Sequence, residues 1–155
     1  MRSGPEPFDS PDAQALCVAQ QEEMLALYEG EADIGPKRDA WMFVPPDGVF
    51  IVVREGERPV ACGGLARFDE SRAEVKRMYV VPDARGRGLG RRVLGELEER
   101  ARAFGYTGLV LETGDKSAAA LSLYESSGFE RIDSYPPYDT RELSLCFEKR
   151  LEGST

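Results

Sequence analysis

Three glycines at alternate positions, Gly86, Gly88 and Gly90, join a β-branched run ending at Val81 to the most regular amphipathic helix of the chain, Arg91 to Phe104. This junction constrains the fold more than any other feature. Leu89, Val93, Leu97, Ala101 and Phe104 make one apolar stripe, Glu96 with Arg100 and Glu98 with Arg102 pair on the opposite side, and Gly105 ends the helix. Glycines let backbone N–H groups converge without a Cβ in the way, and a helix start adds unpaired N–H groups and the positive end of its dipole. The turn is thus suited to a phosphate or pyrophosphate. Charge agrees: between Lys76 and Arg92 stand six basic residues (Lys76, Arg77, Arg85, Arg87, Arg91 and Arg92) and one acid, Asp83. The whole chain has 20 basic and 28 acidic residues and a net charge of −8, so the segment carries +5 and the remainder −13. That balance argues against general binding to nucleic acid or to anionic membrane.

The length of 155 residues suits one domain that buries about two-thirds of the surface its unfolded chain exposes. Residues 1 to 12, rich in Pro, Ser, Gly and acid, are predicted to be a flexible tail, residues 13 to 150 the domain, and residues 151 to 155 a second tail. Cys17, Val18, Met24, Leu25 and Tyr28 predict a first helix stopping near Gly30, followed by a loop around Trp41, Met42 and Phe43. Val49–Arg54 and Val60–Phe68 read as a hairpin, with Gly63 and Gly64 marking a bulge or close backbone approach. Further strands are expected at Glu74–Val81, Leu109–Glu112, Phe129–Asp133 and Leu143–Lys149, with a helix over Ser117–Ser127. This order predicts an α/β (α+β) architecture, a mixed sheet with helices packed on it.

The chain has no histidine, which removes Ser-His-Asp and Cys-His nucleophiles and His-ligated metal sites. Cys17, Cys62 and Cys146 lie far apart, an odd number without C-x-x-C spacing, so neither a disulfide framework nor a metal site is expected and a reducing, cytoplasmic setting fits best. Neither a signal peptide nor a membrane span is expected.

Two familiar phosphate loops do not fit the turn. A Walker loop requires Gly-x4-Gly-Lys followed by Ser or Thr, and a dinucleotide fingerprint requires a third glycine where Gly88-x-Gly90 is followed by Val93. Arg85-Gly86-Arg87-Gly88-Leu89-Gly90 instead resembles the Arg/Gln-x-x-Gly-x-Gly/Ala loop of the GNAT superfamily of N-acetyltransferases. Leu123-Tyr124-Glu125-Ser126-Ser127-Gly128-Phe129 resembles that family's downstream helix, and the Glu74–Val80 strand and Leu111-Glu112-Thr113-Gly114 resemble small bacterial members. The likeness runs from about residue 49 to 150.

The resemblance implies a mostly antiparallel mixed sheet with helices on both faces and splayed central strands. It implies acetyl-CoA as co-substrate, with main-chain groups of Met78, Tyr79 and Val80 along the pantetheine arm. Amides from Arg85 through Gly86, Arg87, Gly88, Leu89 and Gly90 to Arg91 would cradle the pyrophosphate, with Arg91 or Arg92 toward the 3′-phosphate. Glu74 would deprotonate the attacking amine and Tyr124 protonate the leaving thiolate; Glu112 is a second carboxylate candidate. Many relatives carry Asn where this chain has Ser117, a shorter group with one hydroxyl for the pantetheine. Period-two alternation puts Glu74, Lys76, Met78 and Val80 on one face.

Acetyl transfer to a primary amine of a small molecule, by direct attack in a ternary complex, is the expected function. Trp41, Phe43, Tyr135 and Tyr138 are candidate walls of the acceptor pocket, and the acidic balance favours a neutral or cationic amine. Homodimerisation through edge strands occurs in such relatives. A non-catalytic acyl-CoA sensor is the alternative, and a nucleic-acid module rests on the arginines alone.

Overall fold

A computed structural model describes residues 1–27, 40–140 and 142–151. Seven strands form one sheet in the order β1-β2-β3-β4-β5-β7-β6. In chain order they are β1 (Arg2–Pro5), β2 (Val49–Glu55), β3 (Arg58–Arg67), β4 (Arg72–Val80), β5 (Gly108–Gly114), β6 (Glu130–Ile132) and β7 (Ser144–Arg150). Only the β4–β5 pair is parallel. Helix α1 (Pro11–Leu27) packs on one face of the sheet, while α2 (Leu89–Ala103) and α3 (Ala118–Ser126) serve the other. This is the mixed, mostly antiparallel sheet with helices on both faces.

The two faces have separate cores. On the α2 side, Val49, Ile51, Val53, Leu65, Val75, Leu109 and Leu111 meet Leu89, Val93, Leu94 and Leu97. Each such side chain contributes about 1.5–3 kcal/mol when fully buried, so α2 is fixed along its whole length. On the α1 side, Ala13, Leu16 and Cys17 pack with Phe50, Val52, Cys62 and Ala66. Val18 and Leu25, expected in that stripe, are instead exposed. Tyr28 lies outside the described residues.

The expected N-terminal tail is ordered structure. Arg2–Pro5 pairs antiparallel with β2, and the Glu6 N–H donates to Phe50 O at 2.8 Å. Phe8 packs its ring 4.7 Å from Phe43, and Ser10 Oγ accepts from the Ala13 N–H at the start of α1, a cap that stabilises a helix by about 1 kcal/mol. Arg54 pairs with both Glu6 and Asp12 at 2.7 Å. The sequence pattern misses this because an edge strand of Arg, Ser, Gly and Pro is held by main-chain hydrogen bonds and needs no apolar period. At the other end, Leu151 is buried and its N–H donates to Thr107 O, so it belongs to the core and not to a tail.

A bulge in β4 corrects a second expectation. Gly64 faces Lys76 and Cys62 faces Tyr79, so Gly63 alone stands opposite Arg77 and Met78. Arg77 takes φ 59°, the one positive value at a non-glycine among the described residues. The extra residue breaks the alternation: Glu74, opposite Ala66, and Lys76, opposite Gly64, stay on the α1 face, whereas Met78 and Val80 turn to the α2 core.

Gly63 is small because a Cβ there would lie 2.6 Å from both Met78 Sδ and Val93 Cγ1. We expect Gly63→Ala to destabilise the fold by about 1–3 kcal/mol, read as a lower urea midpoint at unchanged slope. An unchanged midpoint would show that the bulge accommodates a methyl group.

Candidate active site

Strands β4 and β5 hold each other only from Arg72–Val75 against Gly108–Leu111. Beyond that point β4 stays with β3 as far as Val80, and β5 stays with β7 as far as Gly114. The sheet therefore opens into a wedge. Val81 N–H donates to Val60 O on β3, so by alternation Val80 and Met78 direct their main-chain groups into the gap. There Met78 O accepts from Gln20 Nε2 at 3.3 Å and Val80 O from Arg85 Nε at 3.0 Å. Side chains thus satisfy carbonyls that the parted strand leaves behind.

The wedge is a cleft of about 620 Å³. Its walls are β4 from Val75 to Val80, β5 from Glu112 to Gly114, the glycine turn, the outer side of α1 and one side of α3. Gly86 and Gly88 adopt φ 79° and 78°, and open space around both positions shows that the left-handed backbone, not crowding, requires glycine. Gly88 begins α2 without a side-chain cap, which leaves the first N–H groups of the helix to the cleft. Gly90 is packed, with its Cβ direction 3.2 Å from Leu123 Cδ2 of α3.

The turn's arginines are engaged with the protein. Arg85 binds Glu23 at 2.6 Å, Arg87 pairs with Glu55, and Arg91 donates to Ser126 Oγ at 2.7 Å. The hydrogen bonds from Arg85 and Arg87 hold the Glu23 and Glu55 carboxyls below their ordinary range. These ion pairs are half exposed and of small net worth, so an incoming phosphate can exchange for them. Arg92 turns away from the cleft toward Ser3 and Glu96. Ser117 precedes α3, lines the cleft, and does not use its hydroxyl to cap the helix.

The carboxylates separate sharply. Glu74 is 2% exposed and does not line the cleft. Its Oε2 accepts from Tyr135 OH at 2.9 Å and lies 3.8 Å from Lys76 Nζ, which in turn bonds Tyr138 OH. Tyr135 and Tyr138 therefore belong with Glu74 and Lys76 in one polar cluster. Glu112 lines the cleft, and its charge reaches Tyr124. Tyr124, 6% exposed, packs edge-on to Phe129, and burial together with the Glu112 charge pushes its phenol above the ordinary range.

Trp41 and Phe43 are not cleft residues. Trp41 is 68% exposed, while Phe43 is 3% exposed beneath Gly64 and between Phe8 and Phe50. Sequence reasoning missed Gln20, Glu23 and Met24, whose spacing of three and four on α1 was the available signal, and it left Lys76 and Arg77 without a role in the pocket. Among the described residues no cluster of Cys, Asp and Glu is placed to hold a metal ion, and no helix is long and apolar enough to cross a membrane.

A sheet parted beside a helix N-terminus, with a carboxylate and a buried phenol at the junction, is the α/β arrangement that the resemblance implies. The acetyltransferase (GNAT) family profile matches residues 14–129. The chain is 40% identical over 138 residues to an IAA acetyltransferase of Azospirillum brasilense, covering 86% of this chain and 90% of that one. It also resembles the crystal structure of a Klebsiella pneumoniae protein described as an acyl-CoA N-acyltransferase, with TM-score 0.81, 27% identity and 97% of each chain covered. An Elizabethkingia anophelis GNAT acetyltransferase with acetyl-CoA bound has the same fold at TM-score 0.68 and 16% identity, again with 97% of each chain covered. The chain belongs to the GNAT family and is an N-acetyltransferase.

Burial raises the phenols of both Tyr124 and Tyr135, the latter with help from the Glu74 charge. Unfolded tyrosines release their protons near pH 10. Above that pH the unfolded state binds fewer protons than the folded one, so stability falls as pH rises. We expect ultraviolet titration to show these two phenols ionising only as the chain unfolds, and Tyr135→Phe to flatten the alkaline loss of stability. Ionisation of all six tyrosines near pH 10 without unfolding would contradict this.

Proposed function

We propose that the protein transfers the acetyl group of acetyl-CoA to the primary amine of a small molecule, by direct attack within a ternary complex. The observation that carries the reading is the convergence, in one cleft, of the unpaired β4 edge, the open start of α2, Glu112 and Tyr124.

When bound, acetyl-CoA supplies a thioester whose carbonyl carbon accepts the amine. The N–H groups of Gly88, Leu89 and Gly90 face the cleft as donors for its diphosphate, supported by the dipole of α2. Met78 and Val80 offer main-chain groups to the amide-bearing arm, as a neighbouring strand would. Ser117 offers its hydroxyl across the gap.

An alkylammonium must lose a proton before its nitrogen can attack. Glu112 is placed for that step because it lines the cleft, whereas Glu74 is closed in by Tyr135 and Lys76. We therefore assign proton removal to Glu112, the second candidate from sequence, and a supporting role to Glu74, the first. Tyr124, held protonated by burial and by the Glu112 charge, donates to the departing sulfur. None of the three cysteines lines the cleft and all are buried, which favours direct transfer over an acetylated cysteine.

Glu112→Gln and Tyr124→Phe are each expected to lower kcat by about 10²-fold or more, with acetyl-CoA affinity by calorimetry within a few-fold of wild type. Glu74→Gln should mainly cost stability, about 1–3 kcal/mol, through its broken network. Wild-type kcat/KM should rise with pH as the acceptor loses its proton, with no decline below about pH 10 from Tyr124. Intersecting initial-velocity patterns support the ternary complex, parallel ones oppose it. Binding of acetyl-CoA without acetylation of any small amine would overturn the reading in favour of a sensor or a macromolecular acceptor.

A further inference from the structure

The arginines of the glycine turn all have protein partners, but one cationic residue of the cleft has none among the described residues. The Arg77 guanidinium makes no ion pair or hydrogen bond with any described residue, and its Nε is buried without a partner. Its backbone stands at φ 59° in the β4 bulge, a conformation that few side chains occupy without cost. Arg77 and Lys76 both line the cleft where the strands part.

A guanidinium that lines the cleft with its Nε buried and unbonded can receive an anion there. Among the described residues none provides one. Glu74 is engaged by Tyr135 and lies 3.8 Å from the Lys76 ammonium, and the groups that feel the Arg77 charge most directly are the Cys17 and Cys62 thiols. The cofactor does not supply it here either. From Arg77 to Val80 the strand runs roughly 10 Å before the phosphate turn begins, and the pantetheine arm that follows this strand is uncharged. The acceptor is the group that the reaction itself brings to this end of the cleft.

We propose, on the basis of the acetyl transfer set out above, that the acceptor is an amine that also bears a carboxylate, of the amino-acid type. Arg77 receives the carboxylate, Lys76 adds positive potential, and the amine is left toward Glu112. A guanidinium fork matches a carboxylate through two parallel hydrogen bonds, which fixes orientation as well as charge. Arg77 is a specificity residue in this scheme, and the bulge is what turns it into the cleft. This narrows the expectation of a neutral or cationic amine to one that also carries a carboxylate, because Lys76 and Arg77 bring positive charge to this end of the cleft.

The test compares matched acceptors: α-amino acids with small, acidic, basic and aromatic side chains, each beside its carboxamide and its decarboxylated amine. For at least one side chain the acid should exceed both analogues in kcat/KM by about tenfold or more. Arg77→Gln should raise KM for that acid by a similar factor, raise KM for the carboxamide far less, and weaken calorimetric binding of the N-acetyl amino acid product to the same extent as the acid. Arg77→Lys should restore part of both. Equal use of acids, carboxamides and simple amines by the wild-type enzyme overturns the inference and leaves small-amine acetylation intact. Failure to acetylate any small amine despite acetyl-CoA binding overturns the reading beneath it. The wild-type comparison decides the matter even if the variants do not fold.

Discussion

Val75 and Leu111 are the last residues at which β4 and β5 hold one another, and the rest of the site depends on that parting. A ladder that stops inside a protein leaves N–H and C=O groups whose desolvation costs about 1–3 kcal/mol each when nothing replaces the lost strand. Here α1 and the glycine turn each contribute a side chain, Gln20 to Met78 O and Arg85 to Val80 O. β5 remains fully paired with β7, and Gly90 allows α2 to meet Leu123 of α3 across the mouth of the gap. The wedge is thus braced from both sides, and its open edge is a preformed template for an extended, amide-bearing ligand.

Charge at the turn is arranged around the same opening. Its arginines tie separate elements together: Arg85 joins the turn to α1 and β4, Arg87 joins it to β2, and Arg91 joins α2 to the end of α3. The donors that the turn offers to an anion are then backbone groups, through two left-handed glycines and an uncapped helix start. Fixed dipoles need no reordering when a ligand arrives, while exposed ion pairs can exchange partners at little cost. A cluster of six basic residues in an acidic chain therefore combines bracing with electrostatic attraction.

Local sequence pattern carried the parts of this arrangement that are themselves local. The glycine turn, the stripe of α2, the Leu-Tyr-Glu-Ser-Ser-Gly-Phe segment and the succession of strands after β1 could all be read in windows of a few residues. What depended on pairing could not. β1 has no apolar signature because β2 holds it through main-chain bonds. Phe43 reads as a pocket wall in its proline-rich loop, yet the absence of a side chain at Gly64 opens the space that draws it into the core. The switch of faces at Arg77 depends on Gly63 across the ladder, a partner that β4 alone does not reveal.

The two carboxylates follow the same logic. The family resemblance selects Glu74, because position along one strand is all that a sequence displays. The parallel register pairs Glu74 with Val110, so Glu74 precedes the point of parting and Glu112 follows it. One lies inside the closed sheet, where burial demands a partner and Tyr135 and Lys76 provide it. The other lies where the sheet has opened, beside a phenol that its charge helps to keep protonated. Two acids on the same face thus meet different surroundings because one hydrogen-bonded ladder ends between them, and that ending is the ground on which Glu112 is proposed as the base.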